Sequence, residues 1–297
     1  MEKLKYSDLL HRLGGFDDWL IKLGLTPHQN DRIHNAIEVL RRADKLSRKG
    51  QQTGKYADIL PGDWFPVIEA LEAHDVFAAF ENDPSPTVAA TLKRALSGPA
   101  EALKETSKNR EGRNIWYELA LAAEWRLRGA TVRLDEPDLC LTREGVDFLI
   151  ACKRPANFNT IHSNLKAAIK QLQRNLDTLK GSSFGVAAIS LSCAFNSGDR
   201  VFTGDMNDLR SSIEGQLAKY ERYFSAVNDP RICCVLFHVV TPGLGGENVD
   251  LVRASFLAAQ ELTPSLGSKI FERHAHQMAN TPKQLWEHDI STQHPTS

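Results

Sequence analysis

Residues 138–153 read D-L-C-L-T-R-E-G-V-D-F-L-I-A-C-K, and this stretch decides the fold class of the chain. Glu144 and Gly145 predict a two-residue turn, because glycine tolerates the positive φ that such turns require. Apolar and β-branched residues before and after the turn favour strands. A hairpin closed at this turn places Asp138 opposite Ala151.

The two faces of the predicted hairpin differ, because side chains alternate across a strand. One face is continuously apolar and must belong to the core: Leu139, Leu141, Val146, Phe148, Ile150 and Cys152. The other face carries Asp138 and Lys153 near one end. Their Cβ atoms are diagonal neighbours about 7–8 Å apart, so both side chains can reach one small spot. Asp147 shares this face but lies at the far end, too distant to contribute.

Helices and strands alternate on both sides of the hairpin. We predict a helix at 114–128 and a strand at 131–134 before it. After it we predict helices at 160–180, 205–224 and 251–262, and strands at 184–193 and 231–240. This order predicts the α/β class (mixed α+β), with a central mixed sheet flanked by helices. Residues 1–109 read as an all-helical N-terminal region, which predicts a second domain at 110–297.

Glu118 is the unusual residue of the helix at 114–128. Its neighbours at helical spacing are apolar: Ile115, Leu119, Ala122 and Trp125. A carboxylate in an apolar stripe that faces a sheet needs a partner or a metal, because burial of an isolated charge is costly. Two interpretations remain open, namely a buried salt bridge, for example to Lys153, and a functional carboxylate.

The order of these residues resembles the PD-(D/E)xK nuclease superfamily. The resemblance covers roughly residues 114–240. It is carried by Glu118 on a helix, by Pro137-Asp138, by the strand end Ala151-Cys-Lys-Arg-Pro155, and by Gln171 on the next helix. It implies a restriction-endonuclease-like α-β-β-β-α-β core. It also implies hydrolysis of phosphodiester bonds, in DNA, with Mg²⁺ or Mn²⁺, and a role in restriction or phage defence.

The resemblance also implies roles for individual residues. Asp138, Glu118 and the carbonyl oxygen of Cys152 would hold the metal. Lys153 would be the catalytic lysine, and Gln171 would position the substrate or the lysine. The chain departs from the pattern at Ala151, where the family has Asp or Glu, and alanine cannot hold a metal. Mg²⁺ prefers oxygen ligands that include one or two carboxylates, which Asp138 and Glu118 would supply.

Basic residues follow the predicted site. Arg154 is next to Lys153, and Lys166, Lys170 and Arg174 recur at every fourth position of the following helix. One interpretation is contact with a nucleic-acid backbone along this helix. The other is an ordinary solvated helix face.

Composition excludes some classes of protein. The chain has 36 basic and 37 acidic residues and a net charge of −1, which excludes an overall basic coat. No apolar run reaches the ~18–20 residues of a membrane span, and the N-terminus shows no secretory signal. We therefore expect a cytoplasmic protein without a membrane partner, and the sequence allows a homodimer.

Two further functions stay open beside the nuclease. One is a catalytically degenerate nuclease fold that acts as a nucleic-acid-binding or protein-interaction module, since Ala151 replaces an acidic residue. The other is a regulatory protein that binds a partner through its helical N-terminal region.

Overall fold

The computed structural model describes residues 6–28, 31–53, 64–179, 183–196, 206–220, 227, 229–245, 250–262 and 264–280. Five helices come first. They are α1 (Tyr6–Arg12), α2 (Phe16–Lys22), α3 (Arg32–Thr53), α4 (Trp64–Phe80) and α5 (Pro86–Ala95). The rest of the described chain alternates helices with the strands of one sheet. In order, these are α6 (Glu111–Leu127), β1 (Thr131–Leu134), β2 (Leu139–Arg143), β3 (Val146–Lys153), α7 (Ile161–Thr178), β4 (Ser183–Ser190), α8 (Ser192–Phe195), α9 (Met206–Leu217), β5 (Ile232–Gly245), β6 (Asp250–Glu261) and α10 (Leu266–Asn280).

The hairpin of β2 and β3 has the register that the sequence predicts. Arg143 pairs with Val146, and Leu139 pairs with Ile150. The turn residues Glu144 and Gly145 have φ values of 51° and 75°. Positive φ at both central positions is the signature of a tight two-residue hairpin turn. The turn therefore fixes which side chains share a face.

The sheet is mixed and has the strand order β1-β2-β3-β4-β5-β6. Strands β1, β2 and β3 form an antiparallel meander. Strand β4 lies parallel to β3, and β5 lies parallel to β4. The carboxyl ends of β3, β4 and β5 consequently meet at one edge of the sheet. This arrangement confirms the α/β class.

The sheet is covered on both faces by apolar side chains. On one face Leu139 and Ile150 join a core cluster with Leu119 of α6. On the other face Leu149 and Ala151 join a second cluster, whose α7 members are Ile161, Leu165, Ala168, Leu172 and Leu176. Since α6 and α7 lie on opposite faces, residues near the end of β3 can be reached from both helices.

Two elements differ from the sequence prediction. Residues 251–262 were expected to form a helix because leucine, alanine and glutamine favour helices. They instead form most of β6, which pairs antiparallel with β5 from Cys234–Glu261 to Gly245–Asp250. The free edge of a 14-residue strand offers backbone hydrogen bonds that outweigh local propensity. The polar sequence Gly-Gln-Gln-Thr-Gly at 50–54 likewise predicts a break, but α3 continues to Thr53.

The N-terminal helices share their core with the sheet. Buried side chains of α1, such as Leu9, belong to the same apolar cluster as Leu139 of β2. Arg113 of α6 donates from Nε to Glu69 Oε1 of α4 at 3.0 Å, and both groups are buried. The boundary between residues 109 and 110 stays a prediction. Within the described part of the chain, no helix combines the length and the apolar character needed to cross a membrane.

Candidate metal-binding and catalytic site

Asp138 stands at the centre of the candidate site. It directly precedes β2, and its Oδ2 accepts a hydrogen bond from the backbone N–H of Cys152 at 2.6 Å. This bond ties the carboxylate to the carboxyl end of β3. The side chain is only 13% exposed.

The Lys153 side chain lies beside Asp138 at the carboxyl end of β3. Its Nζ lies 3.4 Å from Asp138 Oδ2 and donates to the carbonyl oxygen of Cys152 at 2.7 Å. The Lys153 side chain is 22% exposed, so a ligand can still approach it. The acid and the amine thus lie together as the hairpin register predicts.

Gln171 reaches the site from α7. Its Nε2 donates to Asp138 Oδ1 at 3.2 Å and to the carbonyl oxygen of Pro137 at 3.1 Å. Both oxygens of the Asp138 carboxylate therefore have donors. Gln171 holds the carboxylate in place, whereas the sequence assigned it to the substrate or to Lys153.

Glu118 lies on α6, on the other face of the sheet, and the charges of Asp138 and Lys153 act on its carboxyl group. Its pKa is raised from 4.5 to about 8, chiefly by burial and next by the negative charge of Asp138, while the charge of Lys153 opposes the increase. Among the described residues Glu118 has neither a hydrogen bond nor an ion pair. The alternative of a buried salt bridge to Lys153 is not seen, because Lys153 pairs with Asp138.

Burial affects the ionisation of the groups at the candidate site. Burial raises the pKa of Asp138, although Lys153, the Cys152 N–H and Gln171 each act to lower it. The thiol of Cys152 is buried in the apolar core, and burial raises its pKa well above the ordinary value. Only the carbonyl oxygen of Cys152 is therefore a plausible ligand from that residue.

The donor set fits a hard divalent cation. Two carboxylates, Asp138 and Glu118, and one carbonyl oxygen are ligands of the type that Mg²⁺ and Mn²⁺ prefer. A cation beside Glu118 would also offset the repulsion that raises its pKa. Across the residues that the structure describes, no cluster of three or more His, Cys, Asp or Glu side chains could hold a metal. Ala151 is fully buried beneath α7 and adds no ligand.

The other predicted residues lie around the site. Lys166 and Lys170 are exposed on α7. Asp147 is at the far end of the hairpin, where Thr142 Oγ1 donates to it at 2.6 Å. Arg154 turns away from solvent and forms an ion pair with Glu105 at 2.6 Å, with both side chains less than 15% exposed. It is therefore held inside the protein and is not presented as a nucleic-acid contact.

Sequence reasoning missed the buried polar groups around Arg154. Glu69, Glu105 and Arg113 join Arg154 around a cavity between the N-terminal helices and the sheet. The available signal is the segment 104–112, which contains Glu105; because it is polar and charged and has no large apolar residue, the sequence alone predicts a linker there.

Comparisons with models of protein families, with curated proteins and with solved structures each give no match for this chain.

Proposed function

We propose that this protein is a metal-dependent nuclease that hydrolyses phosphodiester bonds of DNA. One observation carries the proposal: Asp138 and Lys153 lie together at the carboxyl end of β3, and the charges of both act on the carboxyl group of Glu118 from α6. An unpaired carboxylate, a second carboxylate and an amine at one partly exposed place are the groups that metal-assisted phosphodiester hydrolysis uses.

The order of elements supports a restriction-endonuclease-like core. Helix α6 precedes the β1-β2-β3 meander, α7 follows it, and β4 lies parallel to β3. This is the α-β-β-β-α-β order that the sequence resemblance implies. The candidate site lies at the start of β2 and the carboxyl end of β3, and these are the positions to which the sequence resemblance assigns the metal-binding acid and the catalytic lysine.

Each residue of the candidate site would have a separate role in the reaction. Asp138, Glu118 and the Cys152 carbonyl would hold Mg²⁺ or Mn²⁺, which when bound supplies polarisation of the phosphate and a lower pKa for the attacking water. Lys153 carries the positive charge that stabilises the charge developing on the phosphate oxygens. Gln171 keeps the carboxylate of Asp138 in its orientation through Oδ1.

The substrate would approach along α7. Lys166, Lys170 and Arg174 are exposed there, one turn apart, on the helix that also carries Gln171. A row of exposed cations beside a phosphodiester site favours a nucleic-acid backbone as the ligand. Arg154 is left out of this surface, because its ion pair with Glu105 is buried.

A specific observation favours the second candidate, a degenerate nuclease fold that binds nucleic acid without cleaving it. Ala151 is fully buried, so no third carboxylate stands on β3. The amine of Lys153 also contacts both Asp138 and the Cys152 carbonyl, two of the three proposed metal ligands. A lysine in this position could replace the cation permanently.

Cleavage assays test the proposal. We expect cleavage of DNA with Mg²⁺ or Mn²⁺ and none with EDTA. Asp138→Ala and Lys153→Ala should each lower the rate by about a hundredfold or more, since each removes a charge that acts in the transition state. Asp147→Ala is the matched control, because it removes a carboxylate from the same face of the same hairpin. Undiminished cleavage in both site variants would contradict these roles.

Metal binding separates the two candidates. A ligand that binds only the folded state raises the melting temperature. The nuclease predicts stabilisation by Mg²⁺ that Asp138→Ala abolishes. The degenerate fold predicts no stabilisation by Mg²⁺, but retention on DNA at low salt that weakens as salt is added.

A further inference from the structure

The second half of α3 carries a concentration of positive charge on the surface of the protein. Five of the nine residues from Arg41 to Lys49 are basic and only Asp44 is acidic, although the whole chain has a net charge of −1. The basic residues are all exposed to solvent; they are Arg41, Arg42, Lys45, Arg48 and Lys49. We call these five residues the α3 basic face.

Helical geometry places the five basic residues on one side of α3. An α-helix turns by about 100° per residue, so their positions fall within an arc of about 120°. The opposite side of the helix is buried in the core through Ala36, Leu40 and Ala43. Because α3 continues to Thr53, the whole face lies on one unbroken helix. With a rise of 1.5 Å per residue, it extends over about 12 Å.

Two acidic residues on the same helix offset only part of this charge. Glu38 forms an ion pair with Arg41, and Asp44 lies 2.8 Å from Arg48. The side chains of Arg41 and Arg48 nevertheless remain 60% and 67% exposed. Exposed ion pairs contribute little to stability, so a stronger anionic ligand can replace them. Lys45 forms no ion pair with any residue that the structure describes.

The surroundings of the α3 basic face favour a polyanion over a membrane surface. An amphipathic helix binds a membrane by inserting its apolar side, but Ile33, Ile37 and Leu40 of α3 are already packed in the core. Among the described residues of α3, Leu46 is the one large apolar side chain that is exposed. Double-stranded DNA carries one negative charge per about 1.7 Å of its axis, so about 12 Å of basic helix meets about seven phosphates.

We propose that the α3 basic face is a second DNA-binding surface, which contacts the phosphate backbone of a duplex. The inference rests on the proposed function for the identity of its ligand. It does not require cleavage, because the face lies on an N-terminal helix and includes none of the candidate catalytic residues. Backbone contacts of this kind raise the affinity for DNA of any sequence. The N-terminal helices would thereby hold the substrate of the site at β3.

Fluorescence anisotropy of the full chain with a short fluorescein-labelled DNA duplex tests this surface. EDTA is present, so that neither cleavage nor metal-dependent binding contributes. The wild type should bind at about 50 mM salt and weaken steeply towards about 200 mM. The double variant Lys45→Gln/Arg48→Gln should bind at least about tenfold more weakly at the lower salt concentration, and its salt dependence should fall by about 2 in log–log slope.

The matched control is Lys93→Gln/Arg94→Gln on α5. Like the test variant, it removes an exposed lysine and an exposed arginine that is paired with a carboxylate, in this case Glu111. Both variants therefore change the net charge equally, and the control should bind DNA as the wild type does. Melting temperatures of both variants, measured in EDTA, verify that they are folded.

Three results would overturn the proposal. The first is equal binding of DNA by the wild type and the α3 variant. The second is an equal loss in the α3 variant and the α5 control, which would indicate a general effect of net charge. The third is binding of the wild type to vesicles of phosphatidylcholine and phosphatidylserine in equal parts but not to the duplex. Failure of the proposed function is seen separately, as absence of cleavage by the wild type with Mg²⁺.

Discussion

The two carboxylates of the candidate site differ in their surroundings. Asp138 accepts hydrogen bonds from the Cys152 N–H, Lys153 and Gln171. Glu118 has no such donor within the described residues, and its pKa is raised to about 8. Asp138 is therefore held in one orientation by the protein, whereas Glu118 is the group whose charge depends on pH and on a bound cation.

The raised pKa of Glu118 makes stability depend on pH. Between pH 4.5 and about 8 the unfolded chain loses the Glu118 proton while the folded chain keeps it, so the stability of the folded state falls as pH rises. Glu118→Gln removes this dependence. In EDTA we expect the variant to equal the wild type near pH 4.5 and to exceed it at pH 8 by on the order of 3 kcal/mol. Urea unfolding at several pH values measures this difference.

Glu111→Gln provides the control for this prediction. Glu111 is on the same helix but its side chain is 71% exposed, so its replacement should leave the pH profile unchanged. A Glu118→Gln variant that is no more stable than the wild type at pH 8 would show that Glu118 is ionised and well solvated. In a separate measurement, Mg²⁺ should stabilise the wild type more than the Glu118→Gln variant if Glu118 is a metal ligand.

At the scale of elements, the hairpin is the part of the fold that the sequence predicts best. The alternation of side chains and the Glu144-Gly145 turn act over a few residues, so the register of β2 and β3 follows from local rules. The position of Asp138 beside Lys153 follows from that register. The sequence therefore predicts the acid and the amine of the candidate site together.

The turn itself can be tested with Gly145→Ala. Gly145 has a φ of 75°, and no atom lies within 4 Å of a Cβ added there. The cost is therefore that of the backbone conformation alone, about 1 kcal/mol. Gly14→Ala is the matched control, since it also has open space around a Cβ but no positive φ. Equal unfolding free energies for the two variants, measured in urea, would contradict the assigned turn.

Strand β6 is the element for which local sequence propensity predicts the wrong structure. Residues 251–262 have a composition that favours a helix, and nothing within that segment indicates that β5 offers it an edge. The pairing of β5 with β6 runs from Gly245–Asp250, five residues apart, to Cys234–Glu261, 27 residues apart, and no short turn motif like Glu144-Gly145 was recognised between the two strands. Sequence reasoning without tertiary information therefore assigns the wrong element, although it places the buried strand β5 correctly.

At the scale of the whole molecule, long-range polar contacts join the N-terminal helices to the sheet. Glu69 of α4 contacts Arg113 of α6, 44 residues later, and also Arg32 of α3. Arg154 reaches back to Glu105 across 49 residues. The cavity exists only because these distant segments meet, which is why the sequence predicts the acid and the amine of the hairpin but not the cavity.

Glu69→Gln tests whether the N-terminal helices and the sheet unfold as one unit. The substitution leaves the buried guanidinium groups of Arg32 and Arg113 without their shared carboxylate, and removal of one member of a buried ion pair costs about 3–5 kcal/mol. Because α1 and β2 contribute to one apolar cluster, we expect the loss to reach both regions. Hydrogen exchange, read separately in α1–α5 and in β2–β5, should show an equal decrease in protection.

The control for this last prediction is Glu38→Gln, which removes an exposed ion pair with Arg41 on α3 and should change stability by less than about 1 kcal/mol. Loss of protection confined to α1–α5 in the Glu69 variant would mean that the sheet is stable without the helices. That result would support a domain boundary near residue 110. An equal loss in both regions would instead show that the shared core makes the N-terminal helices and the sheet one cooperative unit.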